Sequence, residues 1–160
     1  MKLDFLKNQE WAIPQIAEWY FNDQGKNILG NSVEKTIERI VGKLDTSTPP
    51  FHVIAHENGK VLGVAQLKLH ELDQFPDYKY WLGSVYVSPK TRGQGIAREI
   101  CLEVCKIASE SFSATELYLS TENLTGGLYA DIGFEALSQI VDRGDDVLIM
   151  RKHLRNRINV

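Results

Sequence analysis

The sequence predicts an α/β (α+β) protein in which one sheet is flanked by helices. Two segments before residue 45 repeat their apolar residues at helical spacing, whereas the period changes to that of strands from Phe51. A further strand–loop–helix succession starts near Leu82. The predicted order β-α-α-β-β-β-α-β-α-β-β suits a single sheet with helices packed against it.

The N-terminal third contains a short strand and two helices. The strand is predicted at residues 2–5, and the first helix runs from Ile13, with Pro14 in its first turn, to a stop near Gly25. Ser32 is a suitable N-cap for the second helix. Its apolar stripe comprises Val33, Ile37, Ile40, Val41 and Leu44.

A hairpin follows the polar loop at residues 45–50. Its arms are residues 51–56 and 61–69, and Asn58-Gly59 forms the turn. In the second arm, apolar residues alternate with Gln66 and Lys68. The alternation predicts one packed face and one that is wetter or contacts a ligand.

The connection at residues 70–80 is polar and longer than a hairpin needs. It carries the carboxylates of Glu71, Asp73 and Asp77 among aromatic residues. Long loops often carry function, so this segment is a candidate for substrate binding. The elements predicted after it are a strand at 81–87, a helix at 95–109, a strand at 117–120, a helix at 125–131 and strands at 134–141 and 147–150 around the turn 142–146.

Length and charge limit the function classes. The 160 residues predict one domain, 1–160, with a basic C-terminal tail from about residue 152. The net charge of −3 argues against general binding to nucleic acid or anionic membrane. No apolar run reaches the ~20 residues that span a bilayer, and charges interrupt residues 1–7, so a cytoplasmic location is expected. Cys101 and Cys105 are interpreted as buried thiols, and no metal site is expected.

The segment from Leu82 to Arg98 is the most informative stretch. A strand, a loop with Gly93 and Gly95, and a helix N-terminus form an anion site, because the first-turn N–H groups lack partners within the helix. The glycines permit close approach of a phosphate or a positive φ. A nucleotide P-loop would need Lys-Ser/Thr after the last glycine, and a dinucleotide fingerprint would need glycine where Arg98 stands. A pyrophosphate from another source is therefore predicted here.

Three segments together resemble the GNAT superfamily of N-acetyltransferases. Arg92-Gly-Gln-Gly-Ile-Ala97, preceded by Val85-Tyr-Val-Ser-Pro89, is similar to that family's pyrophosphate turn. Gly127-Leu-Tyr-Ala-Asp-Ile-Gly-Phe134 and Pro76-Asp-Tyr-Lys-Tyr-Trp-Leu82 resemble two further segments. The resemblance implies a mixed, mostly antiparallel sheet and acetyl-CoA (coenzyme A) as cosubstrate.

The resemblance also implies which residues hold coenzyme A. The backbone of Val85, Tyr86 and Val87 would bind the pantetheine arm at a splayed, bulged strand. Asn123 would hold the same arm from the other side. The pyrophosphate would bind the backbone N–H groups of Arg92, Gly93, Gln94, Gly95, Ile96 and Ala97, with the Arg92 and Arg98 side chains adding charge.

Catalytic roles follow from the same resemblance. Tyr129 is the expected general acid for the departing thiolate, since a phenol is a competent donor to sulfur. Glu71 is the expected base, with Asp73 and His70 as alternatives. Asp73 and Trp81 are candidates for the acceptor pocket, although core packing is the favoured interpretation of Trp81.

The expected function is transfer of an acetyl group from acetyl-CoA to a primary amine by direct attack in a ternary complex. The acidic connection favours a small cationic amine as acceptor. A non-catalytic acyl-CoA-binding regulatory module and a protein N-terminal or lysine acetyltransferase are the alternatives. No nucleic acid or membrane partner is expected, and the chain is either a monomer or a homodimer. The basic segment 151–157 is interpreted as a strand end plus a solvated tail, with a nucleotide 3′-phosphate or partner contact as the alternative.

Overall fold

A computed structural model describes residues 1–155 and contains one seven-stranded sheet. The strands are β1 (Lys2–Phe5), β2 (Phe51–Glu57), β3 (Lys60–Leu69), β4 (Tyr80–Val87), β5 (Glu116–Thr121), β6 (Glu135–Asp142) and β7 (Asp145–His153). Their order is β1-β2-β3-β4-β5-β7-β6, and every pair is antiparallel except β4 with β5. The predicted mixed, mostly antiparallel sheet and the predicted element order are confirmed.

Four α-helices pack against this sheet. They are α1 (Ile13–Asp23), α2 (Val33–Val41), α3 (Ile96–Phe112) and α4 (Gly127–Asp131). Ser32 caps α2 as predicted, because its Oγ accepts a 3.1 Å hydrogen bond from the backbone N–H of Lys35. Helix α3 extends past the predicted end at residue 109, since Phe112 still packs against the core and the chain turns left-handed only at Ser113.

The last hairpin is tighter than the sequence suggested. Strands β6 and β7 continue to Asp142 and from Asp145, so the turn consists of Arg143 and Gly144 alone. Both have positive φ, 51° and 85°, as a two-residue type I′ turn requires. The tip of the hairpin therefore carries Asp142, Arg143 and Asp145 next to one another in the chain.

The sheet separates two apolar cores. Helix α3 buries Ile100, Cys101 and Val104 against one face. Helices α1 and α2 bury Ile16 and Ile40 against the opposite face. Both cysteines are free and buried, which agrees with their interpretation as small apolar residues.

Strands β4 and β5 diverge in the middle of the sheet. Trp81 and Tyr118 are their single paired position within residues 1–155. Strand β4 also bulges, because its pairing with β3 passes from Gly83 to Tyr86 while β3 advances by only two residues. After the bulge, Tyr86 and Val87 still pair with β3, so the edge of β4 without a strand partner in residues 1–155 is the one that faces β5.

No helix in the described part of the chain is long and apolar enough to cross a membrane. The cytoplasmic location stays a prediction. Of the basic C-terminal segment, β7 extends to His153 and the backbone N–H of Leu154 donates to Thr115. Residues 156–160 of the predicted tail lie outside the described residues.

Candidate active site

A cavity of about 570 Å³ lies where β4 and β5 diverge. Helices α1 and α2, strands β2 to β5 and the β6–β7 hairpin contribute to its wall, and α4 contributes Tyr129. Residues 83–86, which include the bulge, line it as well. The divergent strands and polar side chains from both the N-terminal and the C-terminal parts of the chain therefore line the same cavity.

Helix α1 anchors the bulge of β4. The Tyr20 hydroxyl donates a 2.9 Å hydrogen bond to the carbonyl oxygen of Ser84, which has a φ of 50°. The Trp19 ring packs on the Tyr86 ring with centroids 5.2 Å apart. A conformation that non-glycine residues seldom adopt is therefore held by contacts from a neighbouring element.

The glycine turn has the backbone that the sequence predicted. Gly93 and Gly95 have φ values of 81° and 78°, and Gly95 is the N-cap of α3. The turn borders a second hollow of about 200 Å³. Its lining comprises Val87, Thr91, Arg92, Gly93, Gly95, Ile96, Ala97, Arg98 and Leu128. Gln94 is exposed and lies outside that lining.

The Arg92 side chain turns back toward β4. Its Nε donates a 3.2 Å hydrogen bond to the Val87 carbonyl, and its guanidinium lies 5.3 Å from the centroid of the Tyr86 ring. Its charge thus lies beside both the hollow and the end of β4. The N-terminus of the 17-residue helix α3 adds partial positive charge at the same place.

Tyr129 is half-buried in the cavity wall. Its ring meets Phe134 edge-to-face at 6.2 Å between centroids, and its hydroxyl has no hydrogen-bond partner within residues 1–155. Burial, and to a smaller extent the nearby Cys101, raises the pKa of Tyr129 above its ordinary value of 10. The phenol is therefore protonated at neutral pH and can donate.

The three candidate bases differ in position. Glu71 lines the cavity, and its Oε1 lies 3.2 Å from Nζ of Lys68. Asp73 and His70 are exposed and outside the cavity lining. Asp77, the third carboxylate of the connection, also lies outside it.

The other two predicted contacts are Trp81 and Asn123. Trp81 is 1% exposed and its Nε1 donates a 2.6 Å hydrogen bond to the Tyr78 carbonyl, so the residue is mainly a core residue that backs the cavity. Asn123 is exposed, and its Oδ1 accepts hydrogen bonds from Thr125 N at 3.1 Å and Thr125 Oγ1 at 2.7 Å. It shapes the turn before α4 and lines neither hollow.

Two buried polar residues of the cavity were not recognised as site residues from the sequence. His52 and Gln66 are opposite each other in the β2–β3 register and are 2% and 5% exposed. Both ring nitrogens of His52 and Oε1 of Gln66 lack hydrogen-bond partners within residues 1–155. Burial, and then the nearby Lys43 and Lys68, lowers the pKa of His52 to about 3, so the imidazole is neutral.

Three cationic side chains from α2, the segment after it and β3 line the same cavity as this pair. They belong to Arg39, Lys43 and Lys68. Burial, followed by the charge of Lys68, lowers the pKa of Lys43. Arg39 donates to Asn31 Oδ1 at 2.9 Å and to Thr36 Oγ1 at 3.2 Å, which fixes the guanidinium at this side of the cavity.

Solved structures with the same fold are acetyltransferases at low sequence identity. The ribosomal-protein-alanine N-acetyltransferase of Brucella melitensis has a TM-score of 0.74 at 22% identity, covering 96% of this chain and 100% of that one. An aminoglycoside 6′-N-acetyltransferase complexed with coenzyme A gives 0.71 at 12% identity, covering 98% and 99%. A spermidine N-acetyltransferase from Vibrio cholerae gives 0.69 at 16% identity, covering 96% and 95%. These similarities establish the fold.

No curated protein sequence matches the chain significantly. A family model described as the acetyltransferase (GNAT) family matches residues 13–134, which include the bulge, the glycine turn and Tyr129. The chain belongs to the GNAT family of acetyltransferases.

Proposed function

We propose that the protein transfers the acetyl group of acetyl-CoA to the primary amine of a small molecule by direct attack in a ternary complex. The observation that carries the proposal is that Tyr129 and Glu71 line one cavity, at the opening between β4 and β5. A proton donor and a proton acceptor thus share the space that both substrates need.

The donor site follows from the free backbone of β4 and the turn. Pantetheine amides would pair with residues 85–87, where the bulge and the divergence leave backbone groups available. The pyrophosphate would bind N–H groups of residues 92–97, with Arg98 at the rim of the hollow. Coenzyme A in an aminoglycoside acetyltransferase of the same fold supports this ligand.

Glu71 is the proposed base. An alkylamine is protonated in water and attacks only after losing a proton, which Glu71 accepts directly or through a water. We prefer Glu71 to Asp73 and His70 because it alone of the three lines the cavity. Lys68 beside it holds the carboxylate in place.

Tyr129 is the proposed acid. The amine nitrogen forms a bond to the thioester carbon, and the tetrahedral intermediate then breaks its C–S bond. The electron pair leaves on sulfur, which takes the phenolic proton of Tyr129. The products are the N-acetylated amine and the free thiol of coenzyme A.

Carboxylates attract the protonated amine to the cavity. Asp23, Glu122, Asp142 and Asp145 line it at the end of α1, after β5 and on the last hairpin. These residues, rather than Asp73 and Asp77, support the preference for an acceptor that arrives as a cation. Aminoglycoside and spermidine acetyltransferases share the fold, and a small amine is therefore the proposed class.

The proposal is tested by thiol release across a panel of amines, peptides and protein N-termini. We expect turnover with small primary amines. Acetyl-CoA binding without turnover of any amine would favour the non-catalytic module, and turnover of protein acceptors alone would favour the protein acetyltransferase. Because both cysteines are buried and burial raises the pKa of Cys101 to about 12, a thiol reagent reports the released coenzyme A.

A further inference from the structure

One side of the cavity is cationic, and the proposed function assigns no ligand to it. We call it the basic subsite, and it consists of Arg39, Lys43, His52, Gln66 and Lys68. Helix α2 supplies the guanidinium, the segment after it supplies Lys43, and β2 and β3 supply the other three.

The polar atoms of the subsite are buried and unpartnered. His52 and Gln66 are both more than nine-tenths buried, yet both imidazole nitrogens and Gln66 Oε1 lack partners in the described chain. Leaving such atoms unpaired is unfavourable, because they lose their hydrogen bonds to water without gaining others. Their position in a cavity wall indicates that a polar ligand completes their hydrogen bonds.

The charge of the subsite is also incompletely balanced. Within residues 1–155, Glu71 is the one carboxylate that forms an ion pair with the subsite, at 3.2 Å from Lys68. Lys43 forms no ion pair with any carboxylate of residues 1–155. Burial and then the charge of Lys68 lower the pKa of Lys43, the carboxylate of Glu71 offsets part of this effect, and Arg39 lowers the pKa further. An anion placed here would relieve that repulsion.

We propose that the acceptor is an amino acid-like molecule whose carboxylate binds the basic subsite while its amine faces Glu71 and the thioester. The inference rests on the proposed function. The carboxylate accepts hydrogen bonds from Lys43, Lys68 and one N–H of the neutral His52, and Gln66 Oε1 accepts from an N–H of the ligand. Glu71 beside Lys68 shows that this cluster already accommodates one carboxylate.

The same arrangement disfavours a polyamine. A second ammonium group would lie among three cations, and like charges placed together at an interface weaken a complex. The carboxylates that attract the amine lie elsewhere in the wall, on α1, after β5 and on the last hairpin. The cavity therefore has separate positive and negative regions, which suit the carboxylate and the amine of an amino acid.

Matched acceptors test the proposal. Each amino acid is assayed against its own carboxamide, which keeps the amine and the side chain but removes the anion. We expect kcat/KM to be about tenfold higher for the best amino acid than for its amide, the gain typical of charge-assisted hydrogen bonds. Lys43→Met should abolish most of that ratio, whereas Lys106→Met, an exposed lysine on α3 outside the cavity, should keep it.

Product binding gives a second measurement that does not need turnover. N-acetyl amino acids and the matching N-acetyl amides are titrated while the His52 imidazole signals are followed by NMR. Signal shifts that occur only with the acids and are lost in Lys43→Met would support the basic subsite. If they occurred although no amine was acetylated, the proposed function would fail and the subsite would stand. Equal turnover of acids and amides, or equal His52 shifts with both products, would overturn the subsite and leave the acetyltransferase proposal intact.

Discussion

His52 and Gln66 face each other across β2 and β3, and each presents buried, unpartnered atoms to the same cavity. A histidine at such a position is neutral, because burial and the nearby charges of Lys43 and Lys68 disfavour the imidazolium. The pair is therefore an uncharged polar surface on which the described residues leave the two His52 nitrogens and Gln66 Oε1 without hydrogen-bond partners.

The first prediction concerns the stability of the protein in acid. The pKa of His52 is about 3 in the folded protein and near 6.5 when unfolded, so the unfolded state binds one more proton between these values. Stability contributed by the neutral imidazole is thus present above pH 6.5 and declines as the pH falls toward 3. The slope contributed by this residue approaches about 1.4 kcal/mol per pH unit.

Urea unfolding of the wild type and of His52→Gln from pH 8 to pH 4 measures the effect. The other titrating groups are common to both proteins, so the difference between the two curves isolates His52. We expect the variant to lose less stability below pH 6.5. Parallel curves would show that the imidazole is not held neutral in the folded protein.

The second prediction is that Tyr129→Phe lowers kcat by about 100-fold or more, the usual contribution of a general acid. The affinity for acetyl-CoA should stay the same, since the ring and its contact with Phe134 remain. Because the pKa of Tyr129 is raised above 10, its deprotonation should cause no loss of activity below pH 10. Steady-state kinetics and calorimetric titration of acetyl-CoA measure these effects.

Tyr78→Phe is the matched control. Tyr78 stacks on Tyr118 with centroids 4.0 Å apart and lies outside the cavity lining. Removing its hydroxyl should leave kcat nearly unchanged. An equal loss in both variants would assign Tyr129 a packing role only.

The sequence predicted local features well and cross-strand features poorly. The Ser32 cap, the Asn58-Gly59 turn and the glycine turn depend on residues close together in the chain, and all three occur in the structure. The environment of His52 depends instead on the register that sets it opposite Gln66. The alternation in β3 predicted a side that is wetter or contacts a ligand. The sequence around His52 in the apolar strand β2, however, does not indicate which residue lies opposite it.

In the acidic connection at residues 70–80, the sequence likewise does not show which side chains reach the cavity. Glu71, Asp73 and Asp77 are equivalent by composition, yet only Glu71 reaches the cavity. Because Lys68 neutralises the charge of Glu71, this carboxylate does not make the pocket negative. Carboxylates from α1 and the last hairpin, distant in sequence, line the cavity instead.

The third prediction tests the glycine turn. Gly95→Val should weaken acetyl-CoA binding by about tenfold or more, because a β-branched residue at a φ of 78° costs on the order of 1–3 kcal/mol and displaces the first-turn N–H groups. Within residues 1–155, and apart from the two chain neighbours, no atom lies within contact distance of the added Cβ, so we expect the effect to come from the backbone.

Gly59→Val separates ligand binding from folding. Gly59 has a φ of 74° with equally open surroundings, but it lies in the β2–β3 turn, outside both hollows. The two variants should lose similar stability in thermal unfolding, while only Gly95→Val loses affinity in calorimetry. Unchanged affinity in Gly95→Val would refute the assignment of the turn to the pyrophosphate.

The last prediction concerns the bulge that frees the backbone of β4. Tyr20→Phe removes the 2.9 Å hydrogen bond to Ser84, so we expect about 1 kcal/mol of lost stability and a several-fold rise in the Kd of acetyl-CoA. Ser84→Gly removes the cost of the positive φ at this residue. If the bond serves to hold that conformation, adding Ser84→Gly to Tyr20→Phe restores part of both losses. Tyr20→Phe with wild-type stability and affinity would show that the bulge is set by β3 and β4 alone.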